Sequence, residues 1–178
     1  MPQFRLTQKF ANDIKVNILS EPKLIPNILD DWAIDRLIIK RKKVAMVTHV
    51  KSLLTFLISY KEIGGAINVL EGIGVLLSQW LYDRDLILLG DKAIELFNDN
   101  QQKNFCKTID RKLLGHMNDF KRCINVCVNH PYYDEIDFDD ISDKINDTIV
   151  SAIKNNYDNP KGLMLKLIEK NDNLIILN

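Results

Sequence analysis

Trp32-Ala33-Ile34-Asp35-Arg36-Leu37-Ile38-Ile39-Lys40 decides the fold class of this 178-residue chain. Trp32, Ile34, Arg36, Ile38 and Lys40 alternate with Ala33, Asp35, Leu37 and Ile39. Successive side chains of a strand point to opposite faces, so this period of two predicts extended structure. The basic run Arg41-Lys42-Lys43 interrupts the pattern, and a β-branched run follows at Val44–Val50 (VAMVTHV). After Lys51-Ser52 comes Leu53–Ile58 (LLTFLI), which reads as a third strand or, with Ser52 as cap, as the opening of a helix. Three sequential strands joined by tight turns predict an antiparallel meander. Its middle strand is apolar on both faces, so helices should cover it.

Upstream, residues 3–7 (QFRLT) read as a short strand and Lys9–Ile18 as a short helix or loop, with Phe10 and Ile14 one helical turn apart. Pro22 and Pro26 mark an irregular connection that ends at Ile28-Leu29, before Asp30-Asp31. Downstream, Gly64-Gly65 punctuate the chain, and residues 66–82 form a helix with Ile67, Leu70, Ile73, Leu77 and Trp80 along one side. Leu86–Phe97 reads as a second helix, or a short strand and helix, with Ile94 and Phe97 inward. Asn98–Gln102 is a loop and Asn104–Thr108 a short strand. A clean amphipathic helix runs from Asp110 to Val128, with Leu113, Met117, Phe120, Ile124 and Cys127 in one stripe, and ends before His130-Pro131. Residues 139–157 are predicted helical from Ile141, Ile145, Ile149 and Ile153 at four-residue spacing. Asn159-Pro160 breaks that helix, Gly162–Lys170 forms a closing one, and Leu174–Leu177 a terminal strand. There is no internal repeat. The expected architecture is a single α+β domain over residues 1–178, an antiparallel or mixed sheet of about four to six strands with helices packed against it.

Composition narrows the function classes. Apolar residues make up 46% and charged residues 27%, as in globular rather than disordered chains. The 24 Lys and Arg balance 24 Asp and Glu, unlike the basic excess of a dedicated nucleic-acid binder. Residues 134–147 (DEIDFDDISDKIND) nevertheless hold seven acids and one lysine, which reads as an acidic partner patch or as a solvated helix start. The mixed start MPQFRLTQKF has no secretory apolar core. Residues 63–81 approach membrane-spanning length, but Asn68, Glu71, Ser78 and Gln79 fall within them, which points to a core helix and no membrane. Three cysteines, at 106, 123 and 127, form no disulfide framework and suit a reducing cytoplasm.

The segment Lys107-Thr108-Ile109-Asp110-Arg111-Lys112-Leu113-Leu114-Gly115-His116-Met117-Asn118-Asp119 resembles the signature of an uncharacterised bacterial family described only as a domain of unknown function. The resemblance extends to Phe4-Arg5-Leu6-Thr7-Gln8-Lys9, to Asp31-Trp32, to the basic turn before Val44, and more loosely to Lys144-Ile145-Asn146 and Pro160. Lys112 and His116 stand where the family usually has small residues. The resemblance implies a shared fold and a cytoplasmic setting; it brings no activity with it.

On the helix from Asp110, Arg111, Gly115, Asn118 and Arg122 lie diametrically opposite the apolar stripe, with Asp119 beside them. A mid-helix glycine costs about 1 kcal/mol relative to alanine, so close approach of a ligand or backbone is one reason for Gly115. Two guanidiniums and an amide suit a carboxylate or phosphate, and Thr108 and the N–H groups of the helix start would add anion contacts. The alternative is a solvated outer face, with Asn118-Asp119 tying the helix to the N-terminal strand. Cys123, Cys127 and His130, with Cys106 or His116, make a second constellation of N/S ligands. Both cysteines of the helix, however, fall in the apolar stripe and no C-x-x-C pair exists, so no metal and no cofactor is assigned. His49 has no nucleophile paired with it. Lys40-Arg41-Lys42-Lys43 suits either nucleic-acid backbone or a soluble turn.

With no catalytic cluster, balanced charge and abundant apolar helix, the expectation is a non-enzymatic module that binds another protein or a second copy of itself. Its rivals are a nucleic-acid-associated protein of mobile-element or toxin–antitoxin type, using Lys40–Lys43 with Arg111 and Arg122, and an enzyme acting on a small anionic substrate at Arg111, Asn118 and Asp119.

Overall fold

A computed structural model describes residues 1–17, 20–23, 27–98, 102–130, 136–153 and 156–175. The meander forms as the pattern predicts: β2 (Asp31–Ile39), β3 (Lys42–His49) and β4 (Thr55–Ser59) are antiparallel neighbours. Leu53–Ile58 therefore contributes a strand and not a helix start. Ser52 caps no helix; its hydroxyl bonds the His49 ring at 2.8 Å and accepts from Leu54 N–H at 3.2 Å. The β2–β3 turn is only Lys40-Arg41, and both adopt left-handed backbone (φ 42° and 69°), as a tight hairpin requires.

β1 (Gln3–Leu6) lies parallel to β2 on one side and to β5 (Asn104–Lys107) on the other. The result is a five-stranded mixed sheet in the order β4-β3-β2-β1-β5, an α+β fold. Its faces follow the pleat. On one, Phe4, Leu6, Trp32, Ile34, Ala45, Val47, Phe56 and Ile58 meet α1 (Gln8–Asp13), α2 (Val69–Tyr82) and α3 (Ile87–Phe97). On the other, Ala33, Val44, Met46 and Leu57 meet α4 (Arg111–Val128) and α5 (Phe138–Asn146). The apolar stripe of α4 points inward as expected at Leu113, Met117, Phe120 and Ile124, which are buried; at its end Val128 is buried and Cys127, expected in the stripe, is only half-buried.

Three expectations are corrected. Residues 139–157 do not make one helix: α5 stops at Asn146, Ile149 is 69% exposed, and Ile153 belongs to β6 (Val150–Ile153) of a small second sheet with β7 (Asn156–Asp158). The β-branched run Thr148-Ile149-Val150 favours extension, and the Asn146 amide is engaged elsewhere. Ile67 and Ile94 are not core residues. α2 begins at Val69, after Ile67, and the inner side of α3 runs through Leu89, Ala93 and Phe97, which turns Ile94 outward. Finally, α6 runs from Pro160 to Ile175, longer than Gly162–Lys170, with Asn159 capping it through Gly162 N–H at 2.7 Å. Leu174 and Ile175 are thus helical, and 176–177 of the expected terminal strand lie outside the described residues.

Candidate functional site

β4 is an edge strand, and the hydrogen-bond phase of its ladder determines what its outer side presents. Tyr60 N–H donates to Lys43 C=O and His49 N–H to Leu54 C=O, so even-numbered residues 54 to 60 bond toward β3. Thr55, Leu57 and Ser59 therefore turn their backbone groups outward. An unprotected edge of this kind is normally covered or charged. Here α5 covers most of it. The Asn146 side chain donates to Thr55 C=O at 2.7 Å and accepts from Thr55 N–H at 2.8 Å. Leu57 N–H donates to the Ser142 hydroxyl at 3.0 Å, and Ser59 C=O accepts from Ile63 N–H.

Two outward groups are left over. Among the described residues, Leu57 C=O and Ser59 N–H take part in none of these bonds, and the Ser59 hydroxyl makes none either, although Ser59 is only 2% exposed. Leu57 and Ser59 both line a groove of about 520 Å³. Leu57, Ile58 and Ser59 line it between a wall of α2 (Gly72, Val75, Leu76) and the start of α5 (Ile136–Asp139). The mouth carries Glu62, Asp137 and Asp139. Asp137 caps α5 by accepting from the N–H groups of Asp139 and Asp140. Burial, with Asp137 and then Asp143 nearby, raises the Asp139 carboxyl above its ordinary range. Asp137 and Asp139 of the acidic run thus border a groove lined by an outward-facing strand edge.

The α4 residues singled out from sequence lie elsewhere. Arg111, Gly115, Asn118, Asp119 and Arg122 are all exposed. Arg122 pairs with Asp119 at 3.0 Å, and Lys121 donates to Asn118 at 3.1 Å. A Cβ added at Gly115 meets nothing within 4 Å, so no neighbour among the described residues accounts for the glycine. The N–H groups of Lys112 and Leu113 are taken by the Asp110 carboxylate, and the Thr108 hydroxyl is buried with no partner among the described residues. It is Lys121 that ties α4 to the sheet, at 2.7 Å from Asp35, whose carboxylate also accepts from Thr7. Cys123 and Cys127 are half-buried, and His130 is exposed beyond the helix. In the basic run, Lys43 pairs with Asp13 and Lys42 rests over the Phe138 ring.

A family model described as a domain of unknown function (DUF6933) matches residues 3–163. The chain belongs to the DUF6933 family. Comparison with curated proteins and with solved structures finds no match in either.

In this DUF6933 chain the resembling segments of β1 and β2 meet in three dimensions. Arg5 grips Asp31 through two hydrogen bonds, at 2.6 and 2.9 Å, and Gln3 adds a third at 3.1 Å. The hydrogen bonds that Arg5 donates to the Asp31 carboxylate raise the Arg5 pKa. Gln3 also bonds Lys23 N–H and C=O, and Trp32 donates to Leu29 C=O at 2.7 Å. These bonds fasten Lys23 and Leu29 to the sheet. The groove was not singled out from sequence, because its two free backbone groups depend on hydrogen-bond phase. The sequence signal that marks it is the acidic run.

Proposed function

We propose that this chain is a non-enzymatic protein-binding module, and that the β4-edge groove takes an extended segment of a partner protein by strand addition. One observation carries this: Leu57 C=O and Ser59 N–H point away from β3 at two residues that line the groove, while the rest of the edge is satisfied by α5 and by Ile63. Main-chain pairing supplies affinity in this mode, and side-chain pockets on either face supply selectivity. The free groups also select direction. An antiparallel segment would pair with Leu57 or Ser59 as whole residues, and one group of each is already used. A parallel segment needs only these two, accepting from Ser59 N–H and donating to Leu57 C=O through the residue opposite Ile58.

The inferred setting is the cytoplasm of a bacterium. The three free cysteines suit it, and among the described residues no helix is long and apolar enough to cross a membrane.

Ser59→Pro tests the reading. Its N–H lies outside the β3 ladder, so proline removes the edge donor at a position an edge strand tolerates. Ser59→Ala keeps the N–H and is the control. A random dodecapeptide library displayed on phage is panned against the full chain and both variants, with circular dichroism confirming the fold of each. Sequences that bind wild type and Ser59→Ala but not Ser59→Pro are expected. Equal capture by Ser59→Pro, or no capture by wild type, overturns strand addition.

A further inference from the structure

The groove has two unlike walls, and the register of a docked strand determines which side chain meets which wall. We propose that the segment it holds carries a lysine or arginine immediately after the residue that pairs opposite Ile58. This rests on the strand-addition reading above and specifies its partner.

In a parallel ladder the residue opposite Ile58 points its side chain to the same face as Ile58. That face is the α2 side, where a Cβ built on Gly72 lies 3.6 Å from Ile58 Cδ1. Val75 and Leu76 complete this wall. The space is shallow and apolar, so the paired residue is a small or β-branched one such as Ala, Val or Thr.

The next residue of the segment lies beside Ser59 and faces the opposite side of the sheet, the α5 side. The direction of α5 sets what it meets there. Asn146 bonds Thr55 and Ser142 bonds Leu57, so α5 runs antiparallel to β4 and its first turn reaches the level of Ser59. Asp137 and Asp139 stand at that first turn, and Glu62 follows β4 at the same end of the groove. Among the described residues no ion pair engages Glu62, Asp137 or Asp139, while Asp140 and Asp143 nearby pair with Lys144 and Lys161. Lys42 rests 6.0 Å from the centroid of the Phe138 ring, not on a carboxylate. Burial, and then the neighbouring Asp137 and Asp143, raise the Asp139 carboxyl above its ordinary range. A cation on an aliphatic stem fits this position: its methylenes lie along Ile136 and its head reaches the carboxylates.

The test adds one variant to the panning above. Glu62→Gln/Asp137→Asn/Asp139→Asn removes the three charges, and Asn at 137 still caps α5. Recovered sequences are expected to share Lys or Arg directly after a small or β-branched residue. A synthetic peptide of the most frequent sequence should bind the triple variant about tenfold more weakly than wild type, as three partly exposed ion pairs would give. Its Lys→Gln analogue should bind both proteins equally, and raising the salt should weaken only the cationic peptide on wild type. Peptides that depend on Ser59 N–H yet show no cationic preference overturn this inference and leave strand addition standing. Peptides indifferent to Ser59→Pro overturn both.

Discussion

The Asn146 carboxamide closes a two-point hydrogen-bonded ring on the backbone of Thr55, at 2.8 and 2.7 Å, across ninety-one residues of sequence. A strand edge is thereby finished by a helix side chain instead of another strand. The last turn of α5 is fastened to the sheet by polar bonds as well as by Ile141 and Ile145 in the core. The same device leaves one edge position uncovered, since Ser142 and Asn146 are one helical turn apart and α5 begins level with Ser59.

Asn146→Ala should lower the unfolding free energy by about 2–5 kcal/mol, because it strands a buried N–H and a buried C=O together. Asn125→Ala, exposed on α4, should change it by less than about 1 kcal/mol. Urea unfolding of the two variants measures the contrast. Equal effects would show that the clamp bears no load.

The α4 stripe makes a second ranking. Met117→Ala or Phe120→Ala should cost about 2–5 kcal/mol, since both side chains are buried between helix and sheet. Arg122→Ala should cost under about 1 kcal/mol, because its pairing with Asp119 is a surface ion pair. A reversed order in urea denaturation would contradict the helix orientation.

His49 confers a pH dependence. It is fully buried; its ring accepts from Ser52 N–H and, through its other nitrogen, donates to Ile28 C=O. Burial pushes its pKa down from 6.5 to about 4. The folded state thus favours the neutral ring. The stability this contributes is complete above pH 6.5 and is lost as pH falls toward 4, about 3 kcal/mol in all. Nitrogen-15 shifts of the imidazole should show one neutral tautomer throughout that window, with the urea midpoint of wild type falling across it. An imidazole that titrates near its unperturbed value would remove the effect.

The β2–β3 turn holds Lys40 and Arg41 in left-handed backbone without glycine or asparagine. Lys40→Asn/Arg41→Gly should stabilise the protein by about 1–2 kcal/mol, by relieving a conformation that costs an ordinary residue about 1 kcal/mol. A thermal melt reads the gain; a lower melting temperature would mean that the side chains contribute more than the strain removes.

Gly115→Ala should likewise stabilise by about 1 kcal/mol, since the added methyl meets open space in mid-helix. Differential scanning calorimetry decides it, and a loss of stability would reveal a neighbour that the described residues do not supply.

The period-two run Trp32–Lys40 and the apolar stripe of Leu113, Met117, Phe120 and Ile124 could be read residue by residue, and both took the expected form. Asp110, where that helix was expected to begin, caps it by accepting from Lys112 and Leu113 N–H. The four-residue spacing of Ile141, Ile145, Ile149 and Ile153 misled because periodicity carries no information about where a helix must stop. The stop lies at Asn146, whose partner Thr55 is remote in sequence. On α4 the opposed face of Arg111, Gly115, Asn118 and Arg122 was correctly placed as a surface, since 100° per residue suffices for that.

Sequence alone determined the strands from Trp32 to Val50, the inward side of α4 and the acidic run that includes α5, because each follows from neighbours within a few residues. Tertiary structure alone decided that β1 enters the sheet parallel between β2 and β5, that α5 seals most of the β4 edge, and that Leu57 C=O and Ser59 N–H point away from β3 at residues lining a groove with Glu62, Asp137 and Asp139. The reason is physical: backbone groups are the same at every position, so which of them stay unpaired is set by the phase of a ladder and the reach of a distant helix.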